Sequence, residues 1–183
     1  MNFVAWAIVA SEIGFWVVIL LGLFARYVLK RQKLGLILLA LTPVIDLILL
    51  VATSIDLYGG ATATTAHALA AVYIGVSIAF GKPMVTWADE RFRYYVAKQG
   101  AKPLKRYGIE YAKHYLKSWI RHVLAYLIGA GLLVGLIYFI NDAARTEALS
   151  GVLRLWTAVL GIDLIITASY FIWPKKEKAL ESR

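Results

Sequence analysis

The sequence predicts an all-α membrane protein that crosses the bilayer five times. Of its 183 residues, 61% are hydrophobic and 17% are charged, whereas a soluble globular domain has roughly 45–50% and about 25%. The mean hydropathy is +0.69, and five separate stretches exceed the roughly 20 apolar residues that a membrane-spanning helix needs. Because backbone groups in lipid must be satisfied internally, these stretches are predicted to be helices. This composition excludes the disordered, collagen-like and ordinary soluble classes.

Charged or turn-forming residues separate the five stretches. The basic run at 30–33 divides the first two, and Gly59 and Gly60 divide the second from the third. Asn141 ends the fourth stretch and Pro174 ends the fifth, as turn residues commonly do. The sequence therefore predicts a single transmembrane domain over 1–183, with spans at 3–29, 34–58, 61–87, 118–140 and 149–173.

The distribution of Lys and Arg predicts the orientation of the chain. In the five-span arrangement, 18 of the 20 basic residues fall on one side, and only Arg145 and Arg154 fall toward the other. Basic residues accumulate on the cytoplasmic side of membrane proteins. The N-terminus is therefore predicted outside and the C-terminus in the cytoplasm. The net charge of +9 has the same explanation, and no nucleic-acid partner is expected.

The segment 88–117 is the longest predicted cytoplasmic piece, and it is too short for an independent domain. Near its end, two sets of residues recur every four positions: the aromatic Tyr111, Tyr115 and Trp119, and the basic Lys113, Lys117 and Arg121. This pattern predicts an amphipathic interfacial segment before the fourth span. The basic set and Trp119 either contact anionic lipid headgroups or form an ordinary belt of aromatic residues and snorkelling cations.

Small residues at intervals of four mark the third and fourth spans. They are Ala71, Gly75 and Ala79 in the third span, and Ala125, Gly129, Gly131 and Gly135 in the fourth. Such spacing allows two helix backbones to approach closely. It predicts either tight packing between these spans, or contact with a second copy or another protein.

Two acidic residues near the middle of the membrane are the leading functional candidates. Asp46 lies in the second span and Asp163 in the fifth, and no basic residue is expected beside them. Ionisable residues within a membrane are costly and are functional candidates by default. Such a pair can be protonated, can bind a cation, or can bond to neighbouring hydroxyls. The first two outcomes fit binding or transport of a small cation, a proton or an organic cation, and the third is structural.

A second layer of ionisable residues lies nearer the outer side. It comprises Glu12, Asp56, His67 and Arg154. Of these, Glu12, His67 and Arg154 would form the entrance to a midplane site, with Arg154 placed to neutralise Glu12. Interrupted helices near the midplane are typical of transporter sites. Pro43 and Gly161 precede the two midplane acids and predict such interruptions; Pro43 deprives the carbonyl of Leu39 of its helical donor.

Other function classes have less support. The chain has no cysteine, which excludes disulfides, thiolate catalysis and cysteine-held metal clusters. It has neither an HExxH nor a GxSxG motif, so no catalytic residue or cofactor is predicted and an enzyme is disfavoured. The alternatives left are a sensor, immunity or assembly partner that does not transport, and a lipid-modifying enzyme that uses Asp89, Glu90 and Arg91.

Four runs of sequence carry a resemblance to a known family. They are LTPVIDLILLVATSIDLY, ATTAHALAAVYIGVSIAFGKPM, WADERF and GIDLIITASYFIWPKKEK. They are similar to a family of small integral membrane proteins from bacteria, mainly Gram-positive ones. The resemblance covers nearly the whole chain. It implies a location in the bacterial cytoplasmic membrane and brings no functional residues with it.

Overall fold

The computed structural model describes residues 3–95, Lys98 and 106–176. Within these ranges, the side chains at positions 3–9, 11, 12, 15, 46, 53, 92 and 93 lie outside the description. The described part of the chain forms six α-helices. They are α1 Phe3–Tyr27, α2 Gln32–Ala40, α3 Thr42–Tyr58, α4 Thr65–Tyr95, α5 Gly108–Ile140 and α6 Glu147–Ile172.

The predicted class, an all-α protein with membrane-spanning helices, is confirmed. Four described stretches are long and apolar enough to cross a membrane: Gln32–Tyr58, Thr65–Arg91, Gly108–Ile140 and Glu147–Ile172. The apolar stretch described in α1, Trp16–Tyr27, is shorter. Helix α4 continues to Tyr95 and α5 begins at Gly108, so much of the segment predicted outside the membrane extends the two helices. Gly100 and Pro103, which favour a break between these two helices, lie outside the described residues.

Helix α4 lies at the centre of the packing, in contact with α3, α5 and α6. Helix α1 packs against α2 and α3, while α6 packs against α5 and α4. Helices α1, α4 and α6 end, and helix α5 begins, at one end of the helix assembly, which is called the basic end because it carries most of the described basic residues. The connections 59–64 and 141–146 lie at the opposite end.

The helix interruption predicted at Pro43 is present and divides the second span into α2 and α3. Proline lacks an N–H group, so the Leu39 carbonyl loses its normal donor. The Thr42 hydroxyl replaces that donor, with Oγ1 2.9 Å from the Leu39 oxygen. A hydroxyl at this position meets the requirement that backbone groups in lipid be satisfied internally.

The interruption predicted at Gly161 is wrong, because α6 passes through this residue without a break. Glycine keeps its N–H group and costs only about 1 kcal/mol relative to alanine in a helix. Proline removes a hydrogen bond as well as adding a steric clash, so of these two positions Pro43 is the one at which the described helix divides.

Glycine and alanine bring α4 and α5 into close contact, which confirms the predicted packing of these two spans. A Cβ atom on Gly75 would lie 2.3 Å from the backbone oxygen of Ala125. A Cβ on Gly129 would lie 2.9 Å from the backbone oxygen of Ala71. Gly131 and Gly135 have nothing within 4 Å of such a position, so this second pair of glycines points away from the interface.

Charged side chains fasten both ends of the helices. At the basic end, Arg26 donates through Nε to Asp89 Oδ1 over 2.6 Å and through Nη2 to Asp89 Oδ2, which links α1 to α4. At the opposite end, Arg145 donates through Nε to the Ala61 carbonyl over 3.0 Å and through Nη2 to the Leu57 carbonyl. A cation there complements the negative end of the α3 dipole.

Candidate functional site

The leading site is a hydrogen-bonded pair formed by Asp163 on α6 and His122 on α5. His122 Nδ1 lies 2.9 Å from Asp163 Oδ2. The expectation that no basic residue lies beside Asp163 is therefore wrong. The two helices are paired at the basic end, where the Gly108 N–H donates to the Lys175 carbonyl over 2.8 Å. Counted inward from that pair, both side chains lie at similar depths, about 21 and 18 Å along their helices.

The indole of Trp156 fixes which nitrogen of His122 carries a proton. Trp156 Nε1 donates to His122 Nε2 over 3.0 Å, and an indole N–H can only donate. His122 Nε2 must therefore present a lone pair, and Nδ1 carries the hydrogen that is donated to Asp163. This arrangement holds a neutral imidazole between an indole donor and a carboxylate acceptor.

Close packing on two sides holds Trp156 in this position. Its ring contacts Tyr126 edge-on, with ring centroids 5.5 Å apart. On another side it lies over Gly129, where an added Cβ would approach its ring atoms to 2.5 Å. Glycine at 129 thus makes room both for the α4 backbone and for the indole that orients His122.

The hydrogen-bonding capacity of Asp163 is only partly used. Oδ2 accepts from His122, and Oδ1 has no hydrogen-bond partner among the described residues. The Asp163 side chain is 28% exposed and that of His122 19% exposed, so the carboxylate is accessible from the surface of the helices. A proton can bind Oδ1 without disturbing either bond of His122, whereas a proton on Nε2 would displace the indole donor.

Three tyrosines lie between the pair formed by Asp163 and His122 and the basic end. Tyr115 lies near enough to interact electrostatically with Asp163. The Tyr115 and Tyr170 ring centroids are 4.7 Å apart, and those of Tyr170 and Tyr111 are 4.9 Å apart. Hydroxyl-bearing side chains therefore lie between the half-buried Asp163 carboxylate and the surface at Lys175, whose ammonium group lies over the Tyr111 ring.

One feature of the sequence does indicate this site, namely the polar and aromatic face of α5. The residues of α5 that face α6 recur at helical spacing: Tyr115, Trp119, His122 and Tyr126. Trp119 donates to the Leu160 carbonyl over 3.3 Å, and the Tyr126 hydroxyl lies 2.7 Å from Thr157 Oγ1. An uninterrupted polar and aromatic face on an apolar helix indicates a polar interface with another helix.

The other predicted site residues do not converge on Asp163. The side chains of Asp46 and Glu12 lie outside the described residues, and their places in α3 and α1 are helical. Helix α3 packs mainly against α4 and α1, whereas α6 packs against α5 and α4. Contact between the two midplane acids therefore stays a prediction. Arg154 is exposed on α6 and lies about half a helical turn round from Asp163.

His67 lies apart from this site, in the first turn of α4 near the opposite end. It is 4% exposed, and its Nδ1 accepts a hydrogen bond from the Thr64 N–H over 3.1 Å. Nε2 then carries the hydrogen, and among the described residues it has no acceptor. A nitrogen that carries hydrogen cannot ligate a metal, so this geometry does not support a metal site at His67.

The predicted headgroup contacts divide into two groups. Lys113 and Lys117 are exposed and Arg121 is half-buried, all on the same side of α5. Trp119 instead lies on the side that packs against α6. Of the residues considered for a lipid-modifying enzyme, Asp89 pairs with Arg26 and Glu90 is exposed. The guanidinium of Arg91, which is also exposed, lies 5.1 Å from the Trp87 ring centroid on the same helix.

Comparison with known proteins supports the membrane assignment. No family model matches the chain, and no solved structure matches it. The chain is similar to "Uncharacterized membrane protein YmcC" of Bacillus subtilis, with 72% identity over 179 residues, which cover 98% of this chain and 97% of the relative. The resemblance to small membrane proteins of Gram-positive bacteria is therefore confirmed. The chain belongs to the same family of multi-pass membrane proteins as YmcC.

Proposed function

We propose that this protein resides in the bacterial cytoplasmic membrane and binds a proton at Asp163, as the first step of proton-coupled transport. The hydrogen-bonded chain Trp156–His122–Asp163 is the observation that carries this proposal. Carboxylates and histidines within membrane segments mark proton relays in pumps and transporters. A structural role alone would not require a free, accessible oxygen on the carboxylate.

A proton is the ligand that best matches the geometry of the site. A small metal cation prefers several oxygen ligands, and the described residues contain no group of three or more His, Cys, Asp or Glu side chains that could hold one. A proton needs only Asp163 Oδ1. The tyrosines between Asp163 and the basic end supply hydroxyl groups along one route to that atom.

The proposed events involve one proton and two states of Asp163. In the first state the carboxylate is charged and accepts from His122 Nδ1. In the second state Oδ1 carries the proton and Oδ2 still accepts from His122. Binding thus neutralises a charge within the membrane without breaking the Trp156–His122 bond, which keeps the imidazole neutral in both states.

The decisive comparison is between the wild type and Asp163→Asn. An asparagine oxygen can still accept from His122 Nδ1, so the variant is expected to fold, but it cannot take up a proton. We expect potentiometric titration of the purified protein to show one proton per chain fewer for Asp163→Asn. Proton flux into liposomes across a pH gradient should be lost in the same variant.

Glu147→Gln is the matched control, because Glu147 is an exposed acid in the first turn of the same helix. It also removes one titratable carboxyl group, but it should keep proton flux. If Asp163→Asn retains wild-type flux and differs from the wild type only in stability, Asp163 is structural and the proposal is wrong.

A further inference from the structure

The first turns of α5 carry a cluster of cations that is separate from the Asp163 site. Helix α5 has 33 residues and is therefore about 50 Å long, whereas the hydrocarbon core of a membrane is about 30 Å thick. Its first turns consequently lie at the headgroup level of the basic end. The cations on this part of the chain are Arg106, Lys113, Lys117 and Arg121.

These cations lie close together on the side of α5 that faces away from α6. Arg106 Nη1 is 2.5 Å from His114 Nδ1. Arg106, Lys117 and Arg121 are all near enough to act electrostatically on the His114 ring. Glu110 is the acidic residue in the first turn of α5, so positive charge predominates over this surface.

Repulsion between these cations destabilises α5 when no anion is bound. Lys113, Lys117 and Arg121 are spaced four apart, and like charges at this spacing destabilise a helix by about 0.2–0.5 kcal/mol per pair. Lys113 and Lys117 are exposed, and neither has an ion pair among the described residues. An anion bound between them would relieve this repulsion.

The chain that follows α6 holds this surface in place. Gly108 adopts a φ of 59°, a conformation that glycine tolerates best, and its N–H bonds to the Lys175 carbonyl. The Lys175 ammonium group lies 4.6 Å from the Tyr111 ring centroid. The cations therefore project from a helix that is already fixed at its start, which lowers the entropic cost of binding.

An apolar surface follows Lys113 and Lys117 along α5, further from the basic end. Ile120, Leu124 and Leu127 are 56%, 47% and 63% exposed. Their spacing places them along one strip of α5 that is continuous with Lys113 and Lys117. A charged group at the headgroup level and an apolar strip below it match the two parts of a phospholipid.

We propose that Arg106, Lys113, Lys117 and Arg121 bind the phosphate of an anionic phospholipid whose acyl chain lies along Ile120, Leu124 and Leu127. The charge of the cluster favours phosphatidylglycerol over zwitterionic lipids. Membrane continuity favours a lipid over a dissolved anion, because the phosphate groups of the adjoining leaflet lie at the same level.

The test uses the purified protein in a neutral detergent, with phosphatidylglycerol or phosphatidylcholine added. A ligand that binds the folded state raises the melting temperature in proportion to its occupancy. We expect phosphatidylglycerol to raise it and phosphatidylcholine not to do so. In the double variant Lys113→Gln/Lys117→Gln, the phosphatidylglycerol concentration for half-maximal stabilisation should rise roughly tenfold, since each basic residue contributes to binding.

The double variant Lys30→Gln/Lys33→Gln is the matched control. Both lysines are exposed at the same end of the protein, and the change in net charge is identical. This control should retain the wild-type lipid response. An equal loss in both double variants would mean unspecific attraction to charge and would overturn the proposal, as would unchanged binding in both.

Two further measurements keep the test decisive. Without lipid, Lys113→Gln/Lys117→Gln should melt at or above the wild-type temperature, because its change removes like-charge repulsion, so a misfolded variant is recognised by a lower value. A second substitution, Leu124→Asp, places a charge on the apolar strip and should weaken the phosphatidylglycerol response. An equal response to inorganic phosphate at the same concentration would show a site for dissolved anions and would contradict the proposed phospholipid site.

Discussion

At the scale of single residues, the chemistry of this protein depends on how each polar side chain is satisfied within the membrane. Thr42 restores the bond that Pro43 removes, and Arg145 closes the end of α3. Asp163 differs from these, since one of its oxygens has no partner among the described residues. That difference, rather than burial alone, separates a candidate for proton binding from a structural polar group.

Trp156→Phe should change the proton chemistry of His122. The phenyl ring retains much of the packing on Tyr126 and Gly129 but has no N–H, so Nε2 is released from the indole. His122 can then bind a second proton while still donating to Asp163, and the imidazolium so formed would be paired with the carboxylate. The proton uptake of this variant, followed by titration, should therefore differ from that of the wild type. Trp173→Phe changes an exposed tryptophan and should leave uptake unchanged; equal curves for both variants would contradict the bond assigned here.

Arg145→Ala should destabilise the protein much more than Arg154→Ala. The first change leaves the Ala61 carbonyl without its donor and removes one of two donors from the Leu57 carbonyl, at about 1–3 kcal/mol for a carbonyl that stays buried. Arg154 is exposed and makes no hydrogen bond or ion pair with the described residues, so its loss should stay within about 0.5 kcal/mol. Chemical or thermal unfolding of the two variants measures this difference. A large effect of Arg154→Ala would instead support the predicted interaction with Glu12.

At the scale of helices, glycine separates two kinds of surface on α5. Gly129 faces α4 and Trp156, while Gly131, two positions later, has open space around it. The spacing of small residues identified α5 as a close-packing helix, but the same spacing occurs on both faces. Sequence alone therefore could not decide which glycines would meet α4; that depends on how the helix is rotated about its axis.

Gly75→Ala and Gly131→Ala should change stability in opposite directions. A methyl group on Gly75 would overlap the Ala125 backbone, which cannot move aside as a flexible side chain could, and such overpacking costs about 1–3 kcal/mol. A methyl group on Gly131 meets nothing, so the higher helix propensity of alanine should stabilise α5 by up to about 1 kcal/mol. Melting temperatures of the two variants test this directly. Destabilisation by both would indicate that the Gly131 face is also packed, as in a complex of two copies.

At the scale of the whole molecule, composition and charge predicted the class of protein far better than the site. The helices and the break at Pro43 follow from hydropathy and from the missing N–H of proline, both of which are local properties. The pairing of His122 with Asp163 depends on the axial position of α5 relative to α6. The hydrogen bond between Gly108 and Lys175 fixes that position. Predicted span boundaries do not fix the axial offset between α5 and α6. The contact between His122 and Asp163 therefore could not be predicted from them.

The orientation in the membrane is the remaining whole-molecule prediction, and the absence of cysteine from the chain makes it accessible. Thr62 is exposed in the connection at the opposite end, and Lys176 is exposed at the basic end. The excess of Lys and Arg at the basic end predicts that this end lies in the cytoplasm. In intact bacteria, a membrane-impermeant maleimide should therefore label Thr62→Cys and not Lys176→Cys, with Lys176→Cys labelled once the membrane is opened. The reverse pattern would invert the orientation, and the Tyr111–Tyr115–Tyr170 route to Asp163 would then open to the outside of the cell rather than to the cytoplasm.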